Sequence, residues 1–378
     1  MRKALVVWLV AALALPAFAG TEPTVSRVTV EQLEQKATAA RGEPDKQFAQ
    51  ALANLELLER LSDTRRAHLE AELPGPEARQ AFIALADESE FLDLPASDVP
   101  STPAPDRAAQ IAMLTLTRNY VARTIHKLPN FFATRETVNL EGVPEEAQRG
   151  TLPSSKFEAL HETSHSDVTV LYRDNKEMIA KDKGHGVSAK QMRTMGEFGP
   201  ILVTVLDDAA KGHVTWSHWE QGESGLMAVF RYTVNERASH YQVGFSSVEA
   251  GDTHNPAYHG EIAIDPEDGS ILRLTVVAEL KLGNPIEIAD MLVDYGPVEI
   301  GGVTYICPVK SVAYSQVRMV VFDRDFNTGA VLSSSLGVPR SYLNEVLFTH
   351  YHLFRAETRI LSGSDEEPKG ATPASVPK

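Results

Sequence analysis

The fold is decided by residues 258–315, YHGEIAIDPEDGSILRLTVVAELKLGNPIEIADMLVDYGPVEIGGVTYICPVKSVAYS. Two turns divide this stretch. In Asp265-Pro266-Glu267-Asp268-Gly269-Ser270, the proline presets φ and the glycine supplies the positive φ that closes a hairpin. Gly301-Gly302 is a favoured two-residue connection between strands. β-branched and aromatic residues flank both turns, as strands prefer. The stretch therefore predicts four consecutive antiparallel strands.

Strand patterns continue on both sides of this stretch. We expect further strands at residues 131–140, 165–173, 176–181, 213–221, 225–234, 239–248 and 343–360, with a turn at Asp174-Asn175. Residues 323–339 are rich in glycine and serine and indicate an irregular excursion.

Residues 107–127 have the period of an amphipathic helix, and a second helix is expected at 198–211, with Asp207 and Asp208 facing outward. The resulting fold class is α+β: a small N-terminal helical bundle, then a large curved antiparallel sheet (a half-barrel) with a leading helix and one inserted helix.

The N-terminal residues have the pattern of a secretory signal. Arg2 and Lys3 precede an apolar run, and Ala17-Phe18-Ala19 is a small-x-small cleavage site. We therefore expect residues 1–19 to be removed near Ala19-Gly20. No later stretch is apolar enough to span a bilayer. The mature protein is predicted to be soluble and either periplasmic or secreted.

Composition divides the rest of the chain. Residues 20–92 are predicted to form a helical domain of three to four short helices, with Ser62 as one N-cap. Residues 93–106, DLPASDVPSTPAPD, are the clearest linker. The antiparallel sheet domain is placed at 107–361, and the polar residues 362–378 are expected to be a disordered tail.

For Arg65 and Arg66 we favour a solvated helix face paired with Glu59 and Glu70 over a clamp for a carboxylate or phosphate.

Charge and cysteine content exclude several classes of protein. With 36 basic and 51 acidic residues, the chain has a net charge of −15. Nucleic acid and anionic membranes are therefore not expected as partners, because no basic stripe is present. Cys307 is the one cysteine, so an intramolecular disulfide is impossible. Its strand context predicts a small buried hydrophobic residue.

The arrangement of a leading helix that runs into a curved antiparallel sheet resembles the lipoprotein-localisation carriers and their periplasmic relatives. The local match is DYGPVEIGGV at residues 294–303, which is similar to that family's late hairpin. The resemblance covers residues 107–360 at the level of topology, and it implies an unclosed barrel around an apolar cavity that helices cap. The phrases SHY, YHGEIAIDP and YGPVEIGG also resemble a group of exported bacterial proteins of unassigned function.

The sequence offers two possible metal sites, and neither is favoured. His161-Glu162-Thr163-Ser164-His165 matches H-E-x-x-H, which requires a helix to hold zinc. The residues that follow have strand character, and on a strand the two histidines would be about 13 Å apart. His350 and His352 would share a strand face at about 7 Å. For these histidines we favour half-buried positions hydrogen-bonded to neighbours, and we expect neither metal nor cofactor.

The strongest binding candidate is a set of aromatic residues on three successive predicted strands. They are Trp216, Trp219, Phe230, Tyr232, Tyr241 and Phe245. Strict alternation would put Trp216 and Trp219 on opposite faces of their strand. If one face of these strands lines a cavity, the set would supply its apolar wall.

Three functions follow in order of preference. The first is an exported, non-catalytic protein that takes an apolar or amphiphilic ligand, such as a lipid or acyl chain, into a half-barrel cavity. The second is an envelope interaction or scaffold module that binds another protein. The third, distant from both, is a zinc-dependent hydrolase that uses His161, Glu162 and His165.

Overall fold

The computed structural model describes residues 25–124, 127–144, 157–174, 176–179, 197–198, 200–222, 225–244, 255–281, 283–325 and 328–354. Six α-helices and twelve β-strands lie within these ranges. The expected signal at 1–19, the tail at 362–378 and Phe245 lie outside the described residues. No described helix is both long and apolar enough to cross a membrane.

The N-terminal part is helical, as its apolar spacing predicts. Its elements are β1 (Ser26–Val28), α1 (Val30–Ala39), α2 (Asp45–Ala53), β2 (Leu55–Leu57), α3 (Asp63–Ala71) and α4 (Pro76–Glu88), followed by one 3-10 turn. Thr29 caps α1 in a reciprocal capping box with Gln32. Phe48 and Phe82 are buried in the core of this part. The parallel pair β1–β2 was not predicted, since three residues are too few to show a strand period.

One large sheet follows the leading helix α5 (Arg107–Thr124). Its strands are β3 (Phe131–Val143), β4 (Glu158–Arg173), β5 (Lys176–Ile179), β6 (His213–Gly222), β7 (Gly225–Val234), β8 (Ala257–Ile264), β9 (Ile271–Glu279), β10 (Ile286–Ile300), β11 (Val303–Arg324) and β12 (Val331–Leu353), with α6 (Pro200–Ala209) inserted before β6. The spatial order is β5-β4-β3-β12-β11-β10-β9-β8-β7-β6, and every neighbouring pair is antiparallel. The predicted α+β class is confirmed.

The two turns that suggested the fold have the expected geometry. Gly301 and Gly302 have φ of 64° and 84° and connect the paired residues Ile300 and Val303. Positive φ at both central residues is the type I′ arrangement that matches the twist of a hairpin. At the other turn, Gly269 has φ of 78° and its N–H donates to Asp265 O over 3.0 Å.

The sheet is covered on both faces. We call the face against α5 and α6 the helix-side face, and the face against the N-terminal helices the outer face. The main core lies on the helix-side face and joins α5 and α6 to apolar residues of β6 to β12. On the outer face, Ala84 and Phe91 pack with Leu292, Val312 and Leu343.

Buried ion pairs also join the N-terminal helices to the outer face. Arg60 donates to Glu220 over 2.8 Å, and Arg273 donates to both oxygens of the same carboxylate. Burial opposes the charge of Glu220, but Arg273 and Arg60 hold the pKa of this carboxyl well below its usual range. In a second cluster, Lys310 donates to Asp87 over 2.5 Å. The N-terminal part is thus placed on the sheet by directional, charge-assisted contacts.

Several charged residues lie elsewhere than predicted. Arg65 pairs with Glu34 and Asp98, and Arg66 reaches Asp87, Glu90 and Glu345, so the predicted pairing with Glu59 and Glu70 is wrong. Arg66 is not on a solvated face, because its side chain is only 17% exposed. The outward position predicted for Asp208 is also wrong: this residue is fully buried.

Two predictions about strands are wrong. The described residues 239–244 form no strand and contribute a single bridge position. The expected excursion at 323–339 is mostly strand, since β11 extends to Arg324 and β12 begins at Val331. We call residues 318–340, where these two strands continue beyond the rest of the sheet, the hairpin arm. Pairs such as Phe322–Ser334 hold the arm together. Cross-strand pairing therefore overrides the loop-like composition.

Replacement of Glu220 tests the buried cluster. Glu220→Ala leaves Arg60 and Arg273 buried without their shared carboxylate, so we expect a loss of about 3–5 kcal/mol in the free energy of unfolding. Urea denaturation measures it. The control is Glu236→Ala, which breaks the exposed pair with Lys281 and should change stability by less than about 1 kcal/mol. Equal effects of the two changes would contradict the assigned role.

Candidate apolar binding site

The helix-side face of β6 to β10 forms a continuous apolar surface. Phe230 on β7 and Val276 on β9 are fully buried there, and Met291 and Val293 continue the surface along β10. The surface belongs to one core cluster that reaches α5 and α6. This is the part of the chain where an apolar ligand would find the most contact.

A β-bulge brings the two tryptophans of β6 together. The pairing with β7 shifts between Trp216, opposite Phe230, and His218, opposite Val229, so Ser217 is an extra residue. The shift turns Trp219 onto the face of Trp216, and their rings meet edge to face with centroids 4.9 Å apart. The prediction that they lie on opposite faces is therefore wrong. Trp216 also contacts Phe230 at 5.4 Å.

A second aromatic group lies further along the same face. The rings of Tyr232 and Tyr241 both pack against Tyr258, at centroid distances of 5.9 and 5.5 Å. The Tyr232 hydroxyl donates to Thr275 O over 2.6 Å, which satisfies this group inside the core. Five of the six predicted wall residues thus share one core cluster, and Phe245 lies outside the described residues.

One buried carboxylate is present in this otherwise apolar region. Asp208 on α6 accepts hydrogen bonds from the backbone N–H of His240 over 2.7 Å and from the Tyr258 hydroxyl over 2.9 Å. Its other oxygen lies 2.6 Å from Nδ1 of His240. Burial, and then the contact with Asp208, raise the pKa of Tyr258 well above its ordinary value. Asp208 therefore anchors α6 to β8 and is fully satisfied in that role.

Helix α5 covers the site with shallow contacts. Of its 18 residues only Thr117 and Val121 are buried, whereas six of the 13 residues of α4 are buried. Met113 and Tyr120 are only partly buried against the core, and Ile111 is 55% exposed. Within the described residues, Thr117 Oγ1 is buried without a hydrogen-bond partner. An unsatisfied buried hydroxyl costs about 1–3 kcal/mol of stability, so α5 is not packed on the sheet in its most stable arrangement.

The space beneath the helices is small in this conformation. A cavity of about 30 Å³ lies between α5, α6 and the sheet, lined by residues that include Val121, Leu202, Ile271 and Tyr295. That volume holds one or two water molecules and no acyl chain. An apolar ligand could enter this face only if α5 or α6 moved away from the sheet.

The linker also contacts the site, which the sequence did not indicate. Trp219 Nε1 donates to Pro103 O over 2.9 Å. Arg60 N donates to Asp93 O over 2.9 Å, at the start of the same segment. The segment before α5 is therefore attached to the N-terminal part at its start and to the edge strand β6 near its end. Its proline-rich composition predicts irregular backbone but says nothing of such contacts.

The histidine motifs do not form a metal centre in the described part of the chain. His161 and His165 lie on strand β4, as their context predicts, and each faces solvent beside its own carboxylate, Glu158 at 3.7 Å and Asp167 at 3.0 Å. The regular alternation that would put His350 and His352 on one face of β12 is broken, because the pairing of β12 with β3 shifts register between Thr349 and His352. Among the described residues, no three His, Cys, Asp or Glu side chains are placed to hold a metal ion.

Comparison with known proteins gives distant likenesses only. No protein-family model and no curated protein matches the chain. A domain named as an outer membrane lipoprotein-sorting protein from Vibrio parahaemolyticus is 11% identical, with a TM-score of 0.27, over 67% of this chain and 94% of that domain. A LolA superfamily protein from Nitrosomonas europaea is 9% identical, with a TM-score of 0.25, over 64% and 94%. These structures are of the kind that the sequence resemblance named, and at such TM-scores they assign no function.

A glycine substitution tests how α5 is seated. A Cβ at Gly269 would lie 2.6 Å from the backbone nitrogen of Thr117, so Gly269→Ala must push α5 away from the sheet. Gly283→Ala is the control, because Gly283 has a similar φ of 89° and no atom near its Cβ position. Both changes cost about 1–2 kcal/mol in backbone strain. We expect faster hydrogen exchange of α5 amides in Gly269→Ala only; equal exchange in both variants would show that α5 does not depend on this contact.

Cys307 provides a test of burial. The thiol is 1% exposed, and burial raises its pKa to about 12. At pH 8 the thiolate fraction, and with it the rate of reaction with Ellman's reagent, should be about a thousandfold lower in the folded protein than in the urea-unfolded chain. Rapid reaction of the folded protein would show that β11 is accessible and that the assigned burial is wrong.

Proposed function

We propose that the chain is an exported, non-catalytic binding protein that takes an apolar or amphiphilic ligand, such as a lipid or acyl chain, between its curved sheet and helices α5 and α6. Export rests on the signal pattern of residues 1–19. The proposed organisation is a helical domain at 20–92, a linker at 93–106 and a sheet domain at 107–361.

The proposal rests on one observation: the helix-side face is a continuous apolar surface, but α5 packs on it with few buried residues. The face extends from Trp216 at an edge strand to Met291 near the centre of the sheet. Helix α5, one of the two helices that cover it, buries two of its eighteen residues and leaves the hydroxyl of Thr117 unsatisfied. Displacement of α5 therefore exposes little buried surface. An acyl chain of similar apolar area would bury the same face again, with a gain of about 25 cal/mol per Å² of apolar surface.

The edge position of the tryptophans supports a route of entry. Trp216 and Trp219 are only partly buried, and they lie on β6, the last strand of the sheet. A ligand that entered between β6 and α5 would contact these rings first. Indole rings are suited to such a position because one end is apolar and the other donates a hydrogen bond.

A second function, an envelope interaction module, is favoured by the hairpin arm. Pairing of β11 with β10 begins at Val317, and pairing of β12 with β3 begins at Ser341, so within the described residues the arm strands pair only with each other. Val321, Phe322 and Leu332 on the arm are 53%, 46% and 63% exposed. Exposed apolar residues on a free strand edge are a feature of protein contact sites.

Tryptophan fluorescence tests the first function directly. The chain has three tryptophans, and a mature protein that starts at Gly20 retains Trp216 and Trp219, both in the site. We expect brominated fatty acids to quench this emission in a saturable way, because bromine on a bound chain would contact the rings. Phe230→Ala should weaken the binding at least about tenfold through lost apolar contact.

The matched control is Met227→Ala. Met227 lies on the same strand, is 5% exposed, and packs on the outer face with Val229 and Ala263. Both variants should lose about 2–5 kcal/mol of stability, while only Phe230→Ala should lose affinity. Absence of quenching, together with no lipid in an organic extract of the exported protein, would overturn the first function. An envelope protein that is released by Phe322→Ser would then support the second.

A further inference from the structure

A second pocket lies on the other side of the sheet, away from α5 and α6. It has a volume of about 90 Å³, is partly open to solvent, and lies between the N-terminal helices and strands β3, β4 and β12. Leu52 and Leu85 line it from the helices, and Val143 and Leu160 line it from the sheet. Most of its wall is therefore apolar.

The pocket contains one carboxylate that no base neutralises. Glu88, at the end of α4, lines the pocket, and its Oε1 accepts a hydrogen bond from the Tyr314 hydroxyl over 3.0 Å. Burial raises the pKa of this carboxyl to about 7. Its neighbour Asp87 is paired with Lys310 and Arg66, whereas no described Lys, Arg or His forms an ion pair with Glu88.

The other charges at the pocket are also negative. Glu56 and Glu158 line it, and each already has a partner: Arg27 lies 3.1 Å from Glu56, and His161 lies 3.7 Å from Glu158. None of the lining residues is Lys, Arg or His. Glu88 is therefore the lining carboxylate left without a basic partner, and it is the group that a cation would contact.

We propose that this pocket binds a small organic cation, a primary ammonium group carried on a short apolar chain. The ammonium donates to Glu88, the lining carboxylate that has no basic partner among the described residues. The chain lies against Leu52, Leu85 and Leu160. Because the volume is below the roughly 150 Å³ of a cavity that holds benzene, it accepts the ammonium and a few carbons, and longer chains would extend toward solvent. The site is independent of the proposed function, since it lies on the outer face.

Affinity should depend on pH in a defined direction. The titratable groups that act on Glu88 are Tyr314 and Glu56, and neither supplies a positive charge. Glu158 is the other acid of the pocket lining. Below about pH 7 the carboxyl of Glu88 is protonated and neutral. An alkylammonium stays charged to well above pH 9, like a lysine side chain with its pKa of about 10.4. Affinity should therefore rise between pH 6 and 8, in the range where Glu88 loses its proton.

Calorimetric titration of the folded protein with n-butylammonium chloride tests the site, with n-butanol as the neutral probe of the same chain length. At pH 8 we expect saturable binding of the cation and at least tenfold weaker binding of the alcohol. Glu88→Gln should reduce the cation's association constant at least tenfold. The control Glu77→Gln removes an exposed carboxylate from the first turn of the same helix and should leave the constant unchanged.

A second variant separates loss of the site from loss of the fold. Ala81→Leu keeps every charge and places a larger side chain at the pocket wall, so it should abolish binding of both probes. Circular dichroism confirms that each variant is folded. Equal affinity for butylammonium and butanol, affinity that is constant from pH 6 to 8, or unchanged binding in Glu88→Gln would each overturn the proposal.

Discussion

The central strands of the sheet are apolar on both sides, and this constraint determines the rest of the architecture. Leu292 and Val293 are consecutive on β10, are both fully buried, and point to opposite faces because side chains alternate along a strand. A sheet of this kind is stable in water only between two layers. The chain supplies one layer before the sheet, from α1 to α4, and the other from α5 and the inserted α6.

The two layers are attached by different kinds of contact. The outer layer is fixed by buried ion pairs such as Arg60–Glu220 and Lys310–Asp87, which allow one geometry and lose much of their energy if it changes. In the inner layer Asp208 anchors α6 by hydrogen bonds, whereas α5 rests on apolar contact, which depends on area and hardly on direction. Helix α5 can therefore shift on the sheet more readily than the N-terminal helices can. The same molecule combines a fixed outer face with an adaptable inner one.

The sequence predicts well those features that depend on residues close together in the chain. Gly301-Gly302 specifies a hairpin wherever it lies between strand residues, and the apolar alternation around it identifies β10 and β11. The bulge at Ser217 depends on how β6 aligns with β7, so strict alternation misplaced Trp219. Residues of the arm were missed for a similar reason, since Ser333 to Ser335 become strand only through pairing with residues 321–323.

Long-range contacts explain the remaining differences. Arg66 and Asp208 were expected to be solvated because charged residues usually are, and no local pattern shows that Glu345 or Tyr258 will cover them. Of the candidate binding surface, the aromatic residues of β6 and β7 could be named because both strands were predicted. The helix that covers them and the linker carbonyl that holds Trp219 could not, because both meet the sheet across more than 90 residues of chain.

The separation in sequence of the outer-face contacts also bears on how the chain folds. Arg60 and Glu220 are 160 positions apart in the chain, and Glu88 and Tyr314 are 226 apart. Such contacts form late, because closing long loops costs entropy before any contact compensates for it. The N-terminal helices are synthesised well before the strands that neutralise their charges. Until β11 is in place, Asp87 lacks Lys310 and Glu88 lacks the Tyr314 hydroxyl. Folding of this chain is therefore expected to be slow and completed from its C-terminal strands.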